Sequence, residues 1–397
     1  MSNKPLEGLK VVDFAIAGAG PICSKMFADW GADVVKVESF DGDMLRKQPA
    51  VLFDWYHMNK RGLVVDAKTE QGREVIYKLV EQSDFFVTNF RPKALKKLQM
   101  DYEHISKVNS GIIYGSVTGF GARGPEKDKP GYDITAFWGR SGLNDAVREK
   151  GTPPLCSPQG LGDFSLSTAL TGPLLAAYIR KLKTGKGEHV STSLYAWALH
   201  IGQWYVMMPQ TSKAYSYPAS RKELATPMQN TFRTKDGVWF QMVVFDYHKF
   251  IPKLFRYFGR EDLLGKPGYS SQQEVNENSV EVTAIWDKGF SEHTYDEISK
   301  FFDENDFAYQ KLNSCQDCLS DEQAWANEML FKHQYRDGTE LVLPATPFKF
   351  GENWEIDHRV GPRMGEDTAS IMRELGYTEE QIHMYADHNV VMLRSEE

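Results

Sequence analysis

Cysteine is scarce, with four residues in 397. That excludes a disulfide framework. Long apolar runs are missing too. The most apolar stretch, 194–208, is broken by His200 and Gln203, and it falls short of the ~20 apolar residues a membrane span needs. The opening MSNKPLEGLKVVDF puts no apolar run behind basic residues, so no signal peptide is expected. Positive charge is not in surplus. Lys+Arg number 46 against 54 Asp+Glu, a formal net charge of −8. An acidic chain is a poor general binder of nucleic acid or anionic membrane. We therefore expect a cytoplasmic protein with no nucleic-acid and no membrane partner.

Core-forming residues are plentiful. Apolar residues make up 41% and charged residues 25%, which is ordinary globular composition. The length suggests about two to three domains and needs no metal or disulfide staple. The charge is uneven. Residues 270–330 hold 14 acidic residues against three lysines and no arginine, whereas residues 1–110 hold 16 basic and 15 acidic. An anionic ligand would be met in the N-terminal part. The acidic stretch also reads simply as solvated helix surface.

Along the chain, short apolar runs alternate with helical periodicity. LKVVDF (9–14) reads as a buried strand, followed by the small-residue turn AIAGAGP (15–21). Pro21 suits the first turn of a helix, which should run through ICSKMFADW to Gly31. ADVVKVE (32–38) reads as the next strand. Strands are further expected at 62–66, 84–88 and 111–117, and helices at 71–82, 94–108 and 164–183. This β–α alternation predicts an α/β fold with a parallel sheet. The pattern changes near 200. Residues 209–230 are polar, contain three prolines, and read as a linker. FRTKDGVWFQMVV (232–244) reads as a hairpin turning at Asp236-Gly237, and acidic helices follow. A mixed pattern returns near 340. The chain then ends with helices at 367–375 and from about Thr378, separated by Gly376.

Four groups of residues could carry chemistry. Gly18-Ala19-Gly20, with Glu38 closing the second strand, could bring phosphate to a helix N-terminus and an acid to a ribose. The third glycine of a GxGxxG is replaced by Cys23, so a nicotinamide dinucleotide, another nucleotide-bearing ligand and a plain structural turn all stay open. Cys315 and Cys318 form one CxxC with no second pair, so incidental cysteines are favoured over zinc or redox chemistry. In Gly160-Leu161-Gly162-Asp163, the aspartate is either an N-cap or a carboxylate beside helix N–H groups, where flanking glycines admit a substrate. Lastly Lys36, Arg46, Lys47, Lys60, Arg61, Lys68, Arg91, Lys96 and Lys97 could hold phosphates, although most should be solvated surface.

Taken together, these residues resemble the class III CoA-transferases over nearly the whole chain. PLEGLKVVDFAIAGAGP, FADWGADVVKVE, VVDAKTEQG, TNFRPKAL, GYDITAF, GLGDFSLS, TGKGEHVSTSL and MGEDTASIMRELGYTEEQI look like that family, in order. LSDEQAWANEMLF, and the lack of a glycine-rich loop near 240–260, look closest to the transferases for 2-hydroxy acids of amino-acid fermentation.

The resemblance implies a Rossmann-like large domain built from 1–208 and 340–397. It also implies a linker at 209–230, a small α+β domain at 231–310, a second linker at 311–339, and two ring-shaped chains interlocked as a homodimer. It implies CoA or acyl-CoA as substrate, a small carboxylic acid as partner, and no tightly bound cofactor or metal. Asp163 matches the catalytic aspartate. Gly18, Ala19, Val65, Lys68, Asn89, Phe90, Arg91 and Lys97 match CoA contacts, and Tyr132 and Asp133 match the loop facing the thioester. Ser39 stands where some members have arginine, and Ser167 where many have glycine.

On this reading Asp163 would pass through a mixed anhydride and an aspartyl-CoA thioester. Its reference pKa of ~3.9 would leave it ionised at pH 7 without an activating base. N–H groups near Gly18–Gly20 or Gly160–Gly162 would meet the oxyanion. Trp204, Tyr205, Met207 and Met208 could line an acyl pocket, or equally be core or dimer contacts. The alternatives are a CoA-transferase for another acid (carnitine, a bile acid, oxalate or formate) and an α-methylacyl-CoA racemase. The racemase type carries a histidine where this chain has Tyr132, and a tyrosine of pKa ~10 is a poor acid/base substitute.

Overall fold

The computed structural model describes residues 4–351 and 355–394. Six short strands, β1 Lys10–Asp13, β2 Asp33–Glu38, β3 Arg61–Val64, β4 Phe85–Thr88, β5 Ile113–Thr118 and β6 Glu188–Ser193, form one sheet in the order β3-β2-β1-β4-β5-β6. Every pairing is parallel, with Val11 opposite both Val34 and Phe85. Strands buried on both faces need apolar residues at successive positions. VVD, VVKVE and FFVT supply them, and all are buried apart from Asp33 at the start of β2.

The strand order reverses between β1 and β4. In a parallel α/β sheet that leaves a crevice at the carboxyl edge. The turn after β1 and the loop after β4 both lie at this reversal. The helix Ala19–Asp29 follows β1 and packs against the long helix Leu161–Thr184. Gly185, at φ 71°, ends the long helix, with Lys181 and Lys183 in its last turn; left-handed glycine and cations both suit a helix C-terminus.

One expected element is divided. Residues 94–108 form two helices, Pro92–Leu98 and Tyr102–Val108. Gln99 turns left-handed at φ 59°, Met100 is buried, and the Asp101 side chain accepts the Glu103 N–H to start the second helix.

The chain separates into two compact units. The first comprises residues 1–141, 157–201 and 324–397. Its C-terminal segment runs along β3. Gly62 N–H donates to Asp367, Val64 N–H donates to Thr368, and Val65 bridges Val391. The hairpin β10 Leu330–Gln334 and β11 Glu340–Pro344 also belongs to this unit.

The second unit comprises residues 142–156 and 202–323. β7 Gln229–Arg233, β8 Trp239–Val243 and β9 Ala308–Lys311 form its antiparallel sheet. The hairpin between β7 and β8 turns with Gly237 at φ 85°. Phe232, Phe240, Trp286, Phe290 and Phe302 fill its core. The acidic stretch supplies three helices, Gln272–Glu277, Ser279–Ser291 and Tyr295–Glu304. Among the described residues, no helix is long and apolar enough to cross a membrane.

Candidate active site

Asp163 is the third residue of the long helix and does not cap it. The N-cap is Gly160, at φ 84°, whose position offers no side-chain acceptor. Asp133 supplies the missing acceptor from a distant segment. Its carboxylate takes the Gly160 N–H at 2.9 Å and the Asp163 N–H at 3.2 Å. Gly162 makes this approach possible, since a Cβ there would stand 2.3 Å from both Asp133 Oδ1 and Phe137 Cγ. The N-cap reading of Asp163 is thus corrected. Asp133 performs the capping, and the Asp163 carboxylate is left for other work.

That carboxylate lies against the turn after β1. A Cβ on Gly18 would sit 2.2 Å from Asp163 Oδ2, so only glycine leaves room. Gly18 is the N-cap of the helix Ala19–Asp29, which no side chain caps. The first N–H groups of that helix carry partial positive charge. The Ser167 hydroxyl lies 2.5 Å from Ala19 O and 2.6 Å from Asp163 O. Ser167 thereby ties the two helix starts together.

Burial, and then the neighbouring Asp133 charge, push the Asp163 carboxyl up to about 7. The expectation of an ordinary aspartate, fully ionised at pH 7, is therefore corrected. Burial also raises Asp133, against the N–H bonds it accepts from Gly160, Gly162 and Asp163. Tyr56 was not singled out in the sequence. Burial, Asp163 and Asp133 push its phenol up to about 12, so it stays protonated and able to donate. Its ring packs on Phe164 at 5.5 Å. Only its position in the short helix Ala50–Tyr56 marks it, and that helix had no sequence signal.

Asp163 opens on a cavity of about 1040 Å³, whose walls all come from the first unit. Ile22, Met26, Leu45, Trp55 and Phe164 give it a largely apolar lining. Tyr132, 60% exposed, and Asp133 lie at the same cavity. Trp204, Tyr205, Met207 and Met208 belong to the second unit.

The other expected contacts are spread along the carboxyl edge of the sheet. Ala19 is buried in the first turn of its helix. Asn89 brackets the turn, accepting the Ile16 N–H at 2.9 Å and donating to Ile16 O at 2.6 Å. Phe90 packs on Phe14 at 5.3 Å. Val65 is buried, while Lys68, Arg91 and Lys97 are exposed.

Several residues of the basic scatter are committed elsewhere. Lys36 and Lys60 are buried on Asp43 and Asp13. Arg46 is held by Glu38, and Arg61 by Asp33 and Glu374. Glu38 is thus occupied by Arg46 and the Asp43 N–H, which removes it as a ribose ligand. Cys315 and Cys318 are exposed free thiols.

A buried carboxylate at a helix start, beside the switch point of a parallel sheet, puts the candidate site on an α/β fold. The chain belongs to CoA-transferase family III, whose model matches residues 6–368, and it is a CoA-transferase. It is 36% identical to the (R)-2-hydroxy-4-methylpentanoate CoA-transferase of Clostridioides difficile, over 97% of this chain and 99% of that one. It is 31% identical to the cinnamoyl-CoA:phenyllactate CoA-transferase of Clostridium sporogenes, over 98% of each. Among solved structures, a CAIB/BAIF family protein from Brucella suis matches with TM-score 0.78 and 26% identity, covering 94% of this chain and 100% of that one. Rv3272 from M. tuberculosis shares the fold with TM-score 0.83 at 24% identity, covering 94% and 100%.

Proposed function

We propose that the protein moves CoA from an acyl-CoA to an (R)-2-hydroxy acid with an apolar side chain, of the 2-hydroxyisocaproate or phenyllactate type. Asp163 is the nucleophile in this reading. The observation that carries it is a carboxylate set against Gly18 on a large cavity lined mainly by hydrocarbon. The acids named for the two relatives add to it.

Ionised Asp163 attacks the thioester carbonyl. The carbon–sulfur bond breaks, leaving an aspartyl mixed anhydride and CoA thiolate. The thiolate attacks the aspartyl carbonyl and the donor acid leaves, giving aspartyl-CoA. The acceptor carboxylate attacks this thioester to form a second anhydride and release thiolate. Thiolate then attacks the acceptor carbonyl, and Asp163 is freed. Each attack places negative charge on a carbonyl oxygen, and in this reading the N–H groups at Ala19 and Gly20 and the Tyr56 hydroxyl stabilise it.

Exposed Lys68, Arg91 and Lys97 hold the phosphates of CoA, and Gly18, Ala19, Val65, Asn89 and Phe90 hold the rest through backbone and packing. Tyr132 closes over the thioester side, while Asp133 keeps the nucleophile's helix in place. The working form in this reading is an interlocked homodimer in the cytoplasm.

The test is incubation with an acyl-CoA followed by mass spectrometry of the peptide containing Asp163. CoA bound covalently to that peptide is expected. Asp163→Ala and Asp163→Asn should abolish transfer while still binding CoA, and turnover retained by the alanine variant would sink the reading.

A further inference from the structure

Beneath the turn Ala15–Gly20 lies a set of buried titratable groups that acyl transfer does not consume. Asp13, Lys36, Asp43, His57 and Lys60 are each at most 1% exposed. Burying an ion costs several kcal/mol, and well-packed hydrocarbon is often as stable. Lys36 and Asp43 end their hydrogen bonds on the backbone of that turn, and Lys60 ends one on Pro21 O just after it.

Lys36 Nζ donates to Ala15 O and, at 2.9 Å, to Asp43 Oδ2. Burial opposes the Lys36 ammonium, but Asp13, Asp43 and Glu38 outweigh it and hold its pKa above the usual lysine value. Lys60 donates to Pro21 O and to Asp13, each at 2.7 Å. His57 lies 3.8 Å from Asp43 through Nε2. Burial and the cations Lys60, Lys36 and Arg46 keep it neutral.

Asp43 is the junction. A carboxylate has about four acceptor sites, and Asp43 uses them on two walls of the cavity. It accepts the Ala17 N–H at 3.2 Å from Oδ2 and 3.3 Å from Oδ1, and the Leu45 N–H at 2.9 Å on Oδ1. Ala17 and Leu45 both line the cavity. Ala17 is left-handed at φ 58°, which costs a residue with a Cβ roughly 1–2 kcal/mol. The next residue is Gly18, whose Cα faces the Asp163 carboxylate.

We propose that Asp43, held by Lys36, is a positioning residue for acyl transfer: it fixes the Ile16–Ala17 peptide, and through left-handed Ala17 the place of Gly18 against Asp163, and sets the rate of acylation rather than the capture of CoA. The proposal rests on Asp163 being the nucleophile.

The test compares two double variants, Lys36→Met with Asp43→Asn and Lys36→Met with Asp43→Ala. Both remove the buried ion pair. Only the asparagine keeps an oxygen for the Ala17 and Leu45 N–H groups. Loss of the acyl-CoA, which reads acylation, and appearance of covalent CoA on the Asp163 peptide are followed in single turnover, beside the CoA dissociation constant of each variant. A displacement of about 1 Å costs on the order of 10²-fold in rate. The alanine pair should therefore acylate about 30- to 100-fold more slowly than the asparagine pair, with CoA affinity equal within about 3-fold.

Equal acylation rates, or a loss confined to CoA affinity, would overturn the proposal and leave the nucleophile standing. No adduct in the unaltered protein would overturn the nucleophile and this proposal with it. If the alanine pair does not fold, hydrogen exchange of the unaltered protein decides. The Ala17 amide should be protected without ligand, and exchange as fast as an exposed loop would overturn the proposal.

Discussion

At the scale of single residues, the capping part that the sequence left open to Asp163 falls to another carboxylate. Asp163 sits in a glycine-flanked run before a helix, where aspartate ordinarily caps. Asp133 caps instead. No local pattern announces this, because the two residues meet only after the chain folds back. The consequence is electrostatic. In the proposed reaction a proton on Asp163 blocks attack, and burial with the Asp133 charge pushes its carboxyl up to about 7. The donor half-reaction should therefore rise about tenfold per pH unit below about 7 and level off above it. Asp133 contributes to that elevation through its charge, so Asp133→Asn should move the acid limb to lower pH. A limb that stays in place would mean that burial alone sets it. The basic scatter shows the same limit of local reading. Lys36 and Lys60 look like phosphate ligands in a list of cations, and the fold buries them on Asp43 and Asp13.

At the scale of elements, the strands were legible and some helix ends were not. VVD, VVKVE and FFVT carry their strand signal in side chains buried from both sides, so the apolar run itself reports the environment. The long helix begins at Leu161 rather than Phe164 because its cap comes from Asp133 rather than from a neighbouring residue. The split within 94–108 turns on Gln99, a residue with no particular preference for the left-handed region it occupies. Glycine enters that region at no steric cost. Gln99→Gly, which lies in no helix interior, should preserve or raise stability by up to about 1 kcal/mol. The comparison substitution Gln99→Val should lower it, read as opposite shifts in thermal midpoint. The Tyr77 hydroxyl bond to Gln99 O uses the backbone and survives both changes.

At the scale of the whole molecule, alternation of strand and helix announces a parallel sheet, whereas the order β3-β2-β1-β4-β5-β6 was not legible, because several orders satisfy the same alternation and crossover handedness. The hairpin β10–β11 did not announce itself, because five-residue strands joined by a polar turn carry little periodicity. The long helix carries Ile179 and Leu182, 55% and 68% exposed. Exposed aliphatics of this size on one helix fit a covered surface and support the homodimer reading. Sedimentation at micromolar concentration should give the mass of two chains, and interlocking predicts that this mass persists on dilution to nanomolar. A monomer at micromolar concentration would remove that part of the proposal.

The C-terminal segment along β3 also sets an order of events during synthesis. All six strands of the sheet have been synthesised once residue 193 is made. The residues that cover β3, from Pro362 to Val391, come about 170 residues later, at roughly 5–20 residues per second. For roughly ten to thirty seconds the nascent sheet presents β3 as a bare edge, the kind of surface on which another chain can add a strand. The helix that carries Asp163 is complete in that interval, and the wall at 343–347 is not yet made. A chain that stops before 340 would therefore own Asp163 without owning the chamber it works in.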